Sequence, residues 1–240
     1  MSPRTAQWRL LLGAFAISFS AVYVELVSVS PTVSGFWRVL IGGAALALWL
    51  LLRRQRVNWA RAGWLALATA ALFYAGDLWF WHRSINAIGP GLATLLANLQ
   101  VIFVTLLGAL FLSQRPTPRQ LLAIPLALAG LALIVGPDWL SLPADYRLGV
   151  FFGIATALCY AVYILTLRQL QTESPRRLPV AELAVISLGS AALLGVSAAA
   201  EGVSLALPTA SDAFWLTCYG LLAHVLGWLL IASAMPHVTP

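Results

Sequence analysis

Eight stretches of the chain are almost entirely apolar, and each is about 20 residues long, the length that a helix needs to cross the hydrocarbon core of a bilayer. They cover residues 8–28, 33–52, 62–82, 90–112, 119–136, 148–168, 180–200 and 213–235. Short segments containing breakers such as Pro31, Gly89-Pro90 and Pro175 separate them. We therefore predict an all-α integral membrane protein, a polytopic helical bundle.

The composition supports a membrane protein and excludes several other classes. Apolar residues make up 61% of the chain and charged residues only 9%, whereas soluble domains contain about 25% charged residues. The net charge of +6 comes from arginines in short loops, so we expect no nucleic-acid partner. Cys159 and Cys218 lie within apolar runs without metal-ligand spacing, so no metal and no cofactor are expected.

The arginines also predict how the chain is oriented. If the N-terminus is cytoplasmic and the first span is not cleaved, eleven arginines fall in cytoplasmic segments and two in outer loops. The eleven are Arg4, Arg9, Arg53, Arg54, Arg56, Arg61, Arg115, Arg119, Arg168, Arg176 and Arg177, and the two are Arg83 and Arg147. The positive-inside rule thus predicts a multi-pass protein of the plasma or inner membrane with its N-terminus inside.

Three weak internal matches indicate a repeat. The segment GAFAISFSAVY from Gly13 matches GIATALCYAVY, which ends at Tyr163, with an offset of 140 residues. Gly42 matches Gly189 with an offset of 147, and Trp79 matches Trp228 with an offset of 149. Matches in the same order with slowly drifting offsets predict a unit of five spans.

A five-span unit places its second copy upside down in the membrane. We therefore predict two inverted repeats, residues 1–137 with spans 1–5 and residues 138–240 with spans 6–8, an arrangement common in secondary transporters. The second copy would be incomplete, with about 8 of 10 helices present. We expect the 240-residue chain to be a fragment or an incomplete gene product that cannot transport by itself unless dimerisation rescues it.

The segment from Phe73 to Gly136 resembles the drug/metabolite transporter superfamily, specifically proteins with two EamA domains. Ala93-Thr94-Leu95-Leu96 and the stretch from Gly130 to Gly136 fit the family pattern, whereas Gln100-Val101 and Ser113-Gln114 depart from it. The resemblance implies a ten-helix carrier with a central cavity that moves small, amino-acid-like or amphipathic metabolites without ATP hydrolysis. A membrane-embedded enzyme or a non-transporting membrane protein is the alternative, although no catalytic constellation or P-loop occurs.

Ionisable residues within spans are costly and are therefore candidates for function. Asp77, Glu25 and Arg38 come out at similar depths, roughly 21–25 Å from the inner edge at the rise of an α-helix. We expect the two acids to neutralise Arg38, with one acid left to bind a cationic group or a proton, the candidate coupling ion. Glu182 lies near the inner edge and is expected to reach water.

Polar and aromatic residues extend this list of candidates for binding or proton coupling. His224 lies near mid-membrane and is the only histidine placed well inside a span; it is a proton carrier, a hydrogen-bonding residue of the cavity, or a histidine bonded to a neighbouring helix. Asn98 and Gln100 are two positions apart, so an uninterrupted helix would point them about 200° apart, and both could not line one cavity. The aromatic candidates are Trp79, Tyr163 and Trp228. Gly149 and Gly153 form a GxxxG pattern that predicts helix packing.

Overall fold

The structure is a computed structural model, and it describes residues 2–54, 61–111, 116–136, 139–173 and 179–237. Within these ranges the chain is helical and contains no β-strand. Ten α-helices follow one another: α1 Pro3–Ser18, α2 Ser20–Glu25, α3 Pro31–Leu52, α4 Arg61–Ala97, α5 Gln100–Phe111, α6 Pro118–Val135, α7 Ala144–Glu173, α8 Val180–Ala200, α9 Ala210–Cys218 and α10 Gly227–Ala234. Some residues of the sequence argument lie outside the described ranges: Arg56, Arg115, Arg176, Arg177, Pro175 and the pair Ser113-Gln114.

The described helices confirm a polytopic helical membrane protein. Seven stretches are long and apolar enough to cross a membrane, and one of them, Gly63–Phe111, has 49 residues. A straight helix of that length would extend about 74 Å, more than twice the hydrocarbon core. Gly89 breaks it with φ 80° and ψ 160° just before Pro90, a conformation that residues with a side chain rarely adopt. The break divides this stretch into the third and fourth predicted spans.

Short polar residues start several of the spans. Ser30 accepts a hydrogen bond from the backbone N–H of Val33, and Pro31 occupies the first turn of α3. Thr117 and Gln120 form a capping box at the start of α6. Such caps satisfy backbone N–H groups that have no partner within the helix, so they fix where a span begins.

Small residues allow the main helix pairs to approach closely. Helix α4 packs on α7, α3 on α8 and α1 on α10. A Cβ added at Gly149 would lie 2.6 Å from the side chain of Ala87, and one added at Gly153 would lie 2.6 Å from that of Leu96. These contacts between α7 and α4 confirm the predicted packing role of the GxxxG pattern.

The polar contacts at the two ends of the bundle agree with the predicted alternation of spans. At one end, Thr32 at the start of α3 meets Glu201 after α8. At the opposite end, Arg9 of α1 donates a hydrogen bond to Ser233 of α10. Which end faces the cytoplasm stays a prediction from the arginine count.

The last span is not a regular α-helix. Residues Tyr219–Leu226, between α9 and α10, form a π-helical segment. The backbone N–H of Gly227 donates to the carbonyl of Leu222, the i→i−5 contact of that helix type. π-Helical turns are rare in proteins, and those that occur are often found at functional sites.

Candidate functional site

A cavity of about 440 Å³ lies inside the bundle, between α1, α2, α3, α4, α5, α7 and α10. Its polar and aromatic lining residues are Ser18, Ser20, Arg38, Tyr74, Asp77, Trp81, Thr94, Asn98, Gln100, Thr156, Tyr160 and Trp228. The volume falls in the range of small-ligand sites in proteins. Five of the nine predicted candidates, Arg38, Asp77, Asn98, Gln100 and Trp228, line this cavity.

Arg38 is the cation of the cavity wall. Its side chain is buried, with 4% of the residue exposed. Nη1 donates a hydrogen bond of 2.7 Å to the hydroxyl oxygen of Tyr219, and the guanidinium carbon lies 4.5 Å from the centroid of the same ring. Nε is buried and has no hydrogen-bond partner. The guanidinium is therefore held from one side, with donor capacity left over.

Asp77 supplies the negative charge on the same cavity. The residue is 7% exposed, and its carboxylate accepts no hydrogen bond from the side chains that the structure describes. The hydroxyl of Thr156 on α7 instead donates to its backbone carbonyl oxygen at 3.3 Å. Asp77 and Arg38 form no ion pair within 4.0 Å. The cavity therefore contains two opposite charges that do not neutralise each other directly.

The predicted network of two acids around Arg38 is wrong. Glu25 ends α2 with an exposed side chain and does not line the cavity. Arg38 is bound by Tyr219 in place of an acid. Depth along a span was correct for grouping Arg38 with Asp77, but depth does not tell which way a side chain points around its helix.

The expectation that Asn98 and Gln100 cannot share a cavity is also wrong, because the helix is interrupted between them. Helix α4 ends at Ala97 and α5 begins at Gln100. Around the break, the backbone N–H groups of Leu99 and Ile102 donate to carbonyls three residues earlier, and the 3.6-residue period is lost. Both amides consequently line the cavity, and Oε1 of Gln100 is buried without a hydrogen-bond partner.

His224 is a hydrogen-bonded link between helices and does not line the cavity. Nδ1 lies 2.9 Å from the hydroxyl of Tyr74, and Nε2 lies 2.7 Å from the hydroxyl of Ser187. Because Ser187 donates its one hydroxyl hydrogen to the carbonyl of Leu183, it must accept from Nε2–H. Nδ1 shares a hydrogen bond with the hydroxyl of Tyr74, so the imidazole joins the last span to α4 and α8. Of the alternatives left open for His224, this geometry favours a histidine bonded to neighbouring helices.

A second histidine, His82, also lies well inside a span. His82 on α4 is completely buried, so His224 is not the only histidine well inside a span. Nδ1 of His82 donates to the carbonyl of Leu78 at 2.7 Å, and Nε2 is buried without a partner.

The aromatic candidates occupy three different positions. Trp228 lines the cavity. Tyr163 lies behind the wall, with its ring centroid 4.5 Å from that of Tyr74 and 4.9 Å from that of Trp228. Trp79 lies outside the cavity, where its Nε1 donates to Glu201 at 2.9 Å. The repeat match between Trp79 and Trp228 therefore does not bring them to one site.

A polar cluster that the sequence argument did not identify joins α3, α4 and the end of α8. Arg83 forms an ion pair of 2.7 Å with Glu201 and lies over the ring of Trp79. Thr32 donates to the other carboxylate oxygen of Glu201 at 2.7 Å. Burial raises the pKa of Glu201, but the hydrogen bonds from Thr32 and Trp79 and the charge of Arg83 outweigh it and hold the pKa below its usual value.

Glu182 departs from its prediction as well. The residue lies in the first turn of α8 and is 3% exposed, so it does not extend into water as expected. It does not line the cavity. Within the described ranges, no group of three His, Cys, Asp or Glu side chains is placed to bind a metal ion.

Comparison with known proteins adds a family and a fold. A family model described as the EamA-like transporter family matches residues 5–136. An uncharacterized transporter from Archaeoglobus fulgidus is 35% identical over 112 residues, which are 46% of this chain and 38% of that protein. The match thus spans well under half of that relative. A crystal structure of a protein with 19% identity superposes with a TM-score of 0.70 over 98% of this chain and 80% of its own, which shows a shared fold.

Proposed function

The chain belongs to the EamA-like transporter family, a family of membrane proteins that move small molecules, and from this premise we propose that it is a secondary transporter of zwitterionic, amino-acid-like metabolites. The substrate binds in the 440 Å³ cavity between Arg38 and Asp77. Transport requires no ATP hydrolysis by this chain.

The observation that carries the proposal is the presence of two unpaired opposite charges on one buried cavity. A charge within the membrane is costly unless it is paired or faces a wet cavity. Arg38 has an ion-pair partner in none of the described residues, and the same holds for Asp77. A ligand carboxylate would complete the coordination of the guanidinium, and a ligand ammonium would neutralise the aspartate. A zwitterion satisfies both residues with one molecule.

The rest of the lining supports an amphipathic substrate. An aromatic wall can cover the apolar side chain of a substrate, and it consists of Tyr74, Trp81, Tyr160 and Trp228. Gln100 offers a buried carbonyl oxygen without a partner, which can accept a hydrogen bond from an ammonium group. Polar side chains would thus bind the charged groups of the ligand, and the rings would cover its apolar part.

A proton is the proposed coupling ion, and Asp77 is its proposed carrier. Asp77 lines the cavity, and its carboxylate accepts no hydrogen bond from the described residues, so a substrate ammonium and a proton would compete for it. Alternating access between two inverted repeats would then expose the cavity to each side in turn.

The test uses three probes that differ only in their charged groups: L-phenylalanine, phenethylamine, which lacks the carboxylate, and 3-phenylpropionate, which lacks the ammonium. Binding to the purified chain should favour L-phenylalanine over both analogues by tenfold or more, because each analogue leaves one cavity charge unpaired. The Arg38→Gln and Asp77→Asn substitutions should remove the preference for the carboxylate and for the ammonium, respectively.

Glu182→Gln is the matched control, since it removes an acid within a span that does not line the cavity. The Glu182→Gln variant should preserve the order of the affinities for the three probes. Equal affinity of the unaltered protein for all three probes would contradict the proposal.

A further inference from the structure

The π-helical segment Tyr219–Leu226 contacts two residues of the cavity wall at once. Its first residue, Tyr219, accepts the hydrogen bond from Arg38 at 2.7 Å. Its sixth residue, His224, forms a hydrogen bond of 2.9 Å with the hydroxyl of Tyr74 through Nδ1. Tyr219 and His224 do not line the cavity themselves, whereas Arg38 and Tyr74 do.

The helix type is what places these two side chains on one face. In an α-helix of 3.6 residues per turn, positions five apart are rotated by about 140° and cannot both point at the cavity. In a π-helix with i→i+5 hydrogen bonds and roughly 4.4 residues per turn, the same two positions are only about 50° apart. The extra width of the segment therefore brings Tyr219 and His224 to one side.

Close packing against α3 keeps the segment in that position. A Cβ added at Gly220 would lie 3.1 Å from the backbone oxygen of Arg38, and one added at Gly42 would lie 2.2 Å from Cδ2 of His224. Tyr219 and His224 are both buried, with 0% and 1% exposed. With His224 also bound to Ser187 of α8, neither side chain has room to turn away.

We propose that the π-helical segment is a positioning device of the binding site, in which Tyr219 orients the guanidinium of Arg38 and His224 orients the hydroxyl of Tyr74. The proposal rests on the proposed function to the extent that Arg38 and Tyr74 contact the substrate. Tyr219 and His224 are positioning residues, since they act through these two neighbours.

Two single-residue deletions test the geometry. Leu222 and Leu226 both belong to the segment and are similarly exposed, at 48% and 47%. Deleting either one removes an exposed leucine and allows the segment to become α-helical. Deletion of Leu222 leaves Tyr219 and His224 four positions apart, about 40° in an α-helix, on the same face. Deletion of Leu226 leaves them five positions apart, on different faces.

The first measurement does not depend on any substrate. With 3-fluorotyrosine in place of Tyr74, the ¹⁹F resonance reports the hydrogen bond to His224 and the stacking on Tyr163. Deletion of Leu222 should leave the resonance near its original position, and deletion of Leu226 should shift it as His224→Gln does. The same shift after both deletions, or after neither, would overturn the proposal.

The second measurement uses point substitutions, so it also applies if a deletion prevents folding. Tyr219→Phe keeps the ring under Arg38 but removes the hydroxyl that accepts its hydrogen bond. Affinity for L-phenylalanine should fall about tenfold, the loss typical of a hydrogen bond to a charged group, whereas affinity for phenethylamine should stay within twofold. Equal losses for both probes would mean a general structural role and would overturn the proposal.

The two measurements separate this inference from the proposed function. If the unaltered protein binds none of the three phenyl probes, the proposed substrate class fails, and the ¹⁹F comparison alone decides whether the π-helical segment positions Tyr74. If the probes bind as proposed but both deletions behave alike, the substrate class stands and the positioning role fails.

Discussion

Gly42 allows His224 to reach both of its hydrogen-bond partners, so Gly42→Ala should be strongly destabilising. The new Cβ would lie 2.2 Å from Cδ2 of His224 and 3.2 Å from the backbone oxygen of Gly220. Non-bonded carbon atoms normally stay about 3.5–4.0 Å apart. The imidazole would therefore have to move by more than about 1 Å, since the backbone on the other side cannot give way.

The cost follows from what this movement breaks. Overpacking a well-packed interior costs about 1–3 kcal/mol. The hydrogen bonds from His224 to Tyr74 and Ser187, now 2.9 and 2.7 Å, would lengthen beyond a useful distance. At about 1 kcal/mol for each of them, the total loss of unfolding free energy is about 3–5 kcal/mol.

Unfolding in mixed detergent micelles, titrated with sodium dodecyl sulfate and followed by the fluorescence of the ten tryptophans, measures this loss. Gly130→Ala on α6 is the control, because a Cβ there meets no atom within 4 Å. It should change the unfolding free energy by less than about 1 kcal/mol. If Gly42→Ala and Gly130→Ala had the same unfolding free energy, the close contact between Gly42 and the hydrogen-bonded His224 would be refuted.

Three further predictions concern the charges. Asp77→Asn should abolish the binding of L-phenylalanine or its pH dependence, whereas Glu182→Gln should not, and wild-type-like binding by both variants would remove Asp77 from the site. A cysteine introduced in the 53–61 loop, in a chain with Cys159 and Cys218 replaced by alanine, should be protected from membrane-impermeant maleimide in intact cells, and labelling there would contradict the N-inside topology. Because the pKa of Glu201 is lowered in the folded protein, its ionised carboxylate stabilises the fold above the unfolded pKa of about 4.3, and this stabilisation is lost as the pH falls through the folded pKa. Glu201→Gln should remove this acid-dependent loss of stability, which is at most about 1 kcal/mol for so exposed a group. A pH profile of stability that is unchanged in Glu201→Gln would refute the prediction.

Hydropathy and run length predicted the spans well, because a membrane-spanning helix has a fixed period and needs about 20 apolar residues. The seventh run, residues 180–200, coincides with α8, Val180–Ala200. The rule that charges within a span are costly correctly selected Arg38 and Asp77 as residues of one cavity. The same rule could not identify Tyr219 as the partner of Arg38, because tyrosine carries no charge and lies 181 positions away in the chain.

One group of misplaced residues lies where the backbone leaves the α-helical period. Asn98 and Gln100 were separated by an assumed rotation of 100° per residue, yet the helix stops between them. The same assumption would place Tyr219 and His224 on different faces, yet the π-helical segment puts both beside the cavity. Breaks of this kind cost backbone hydrogen bonds in a membrane, where no water replaces them, so they persist only where the surrounding structure satisfies the freed groups or a cavity adjoins them. These two departures adjoin the cavity or hold its wall, and an irregular period within an apolar run is therefore an indication of a cavity wall.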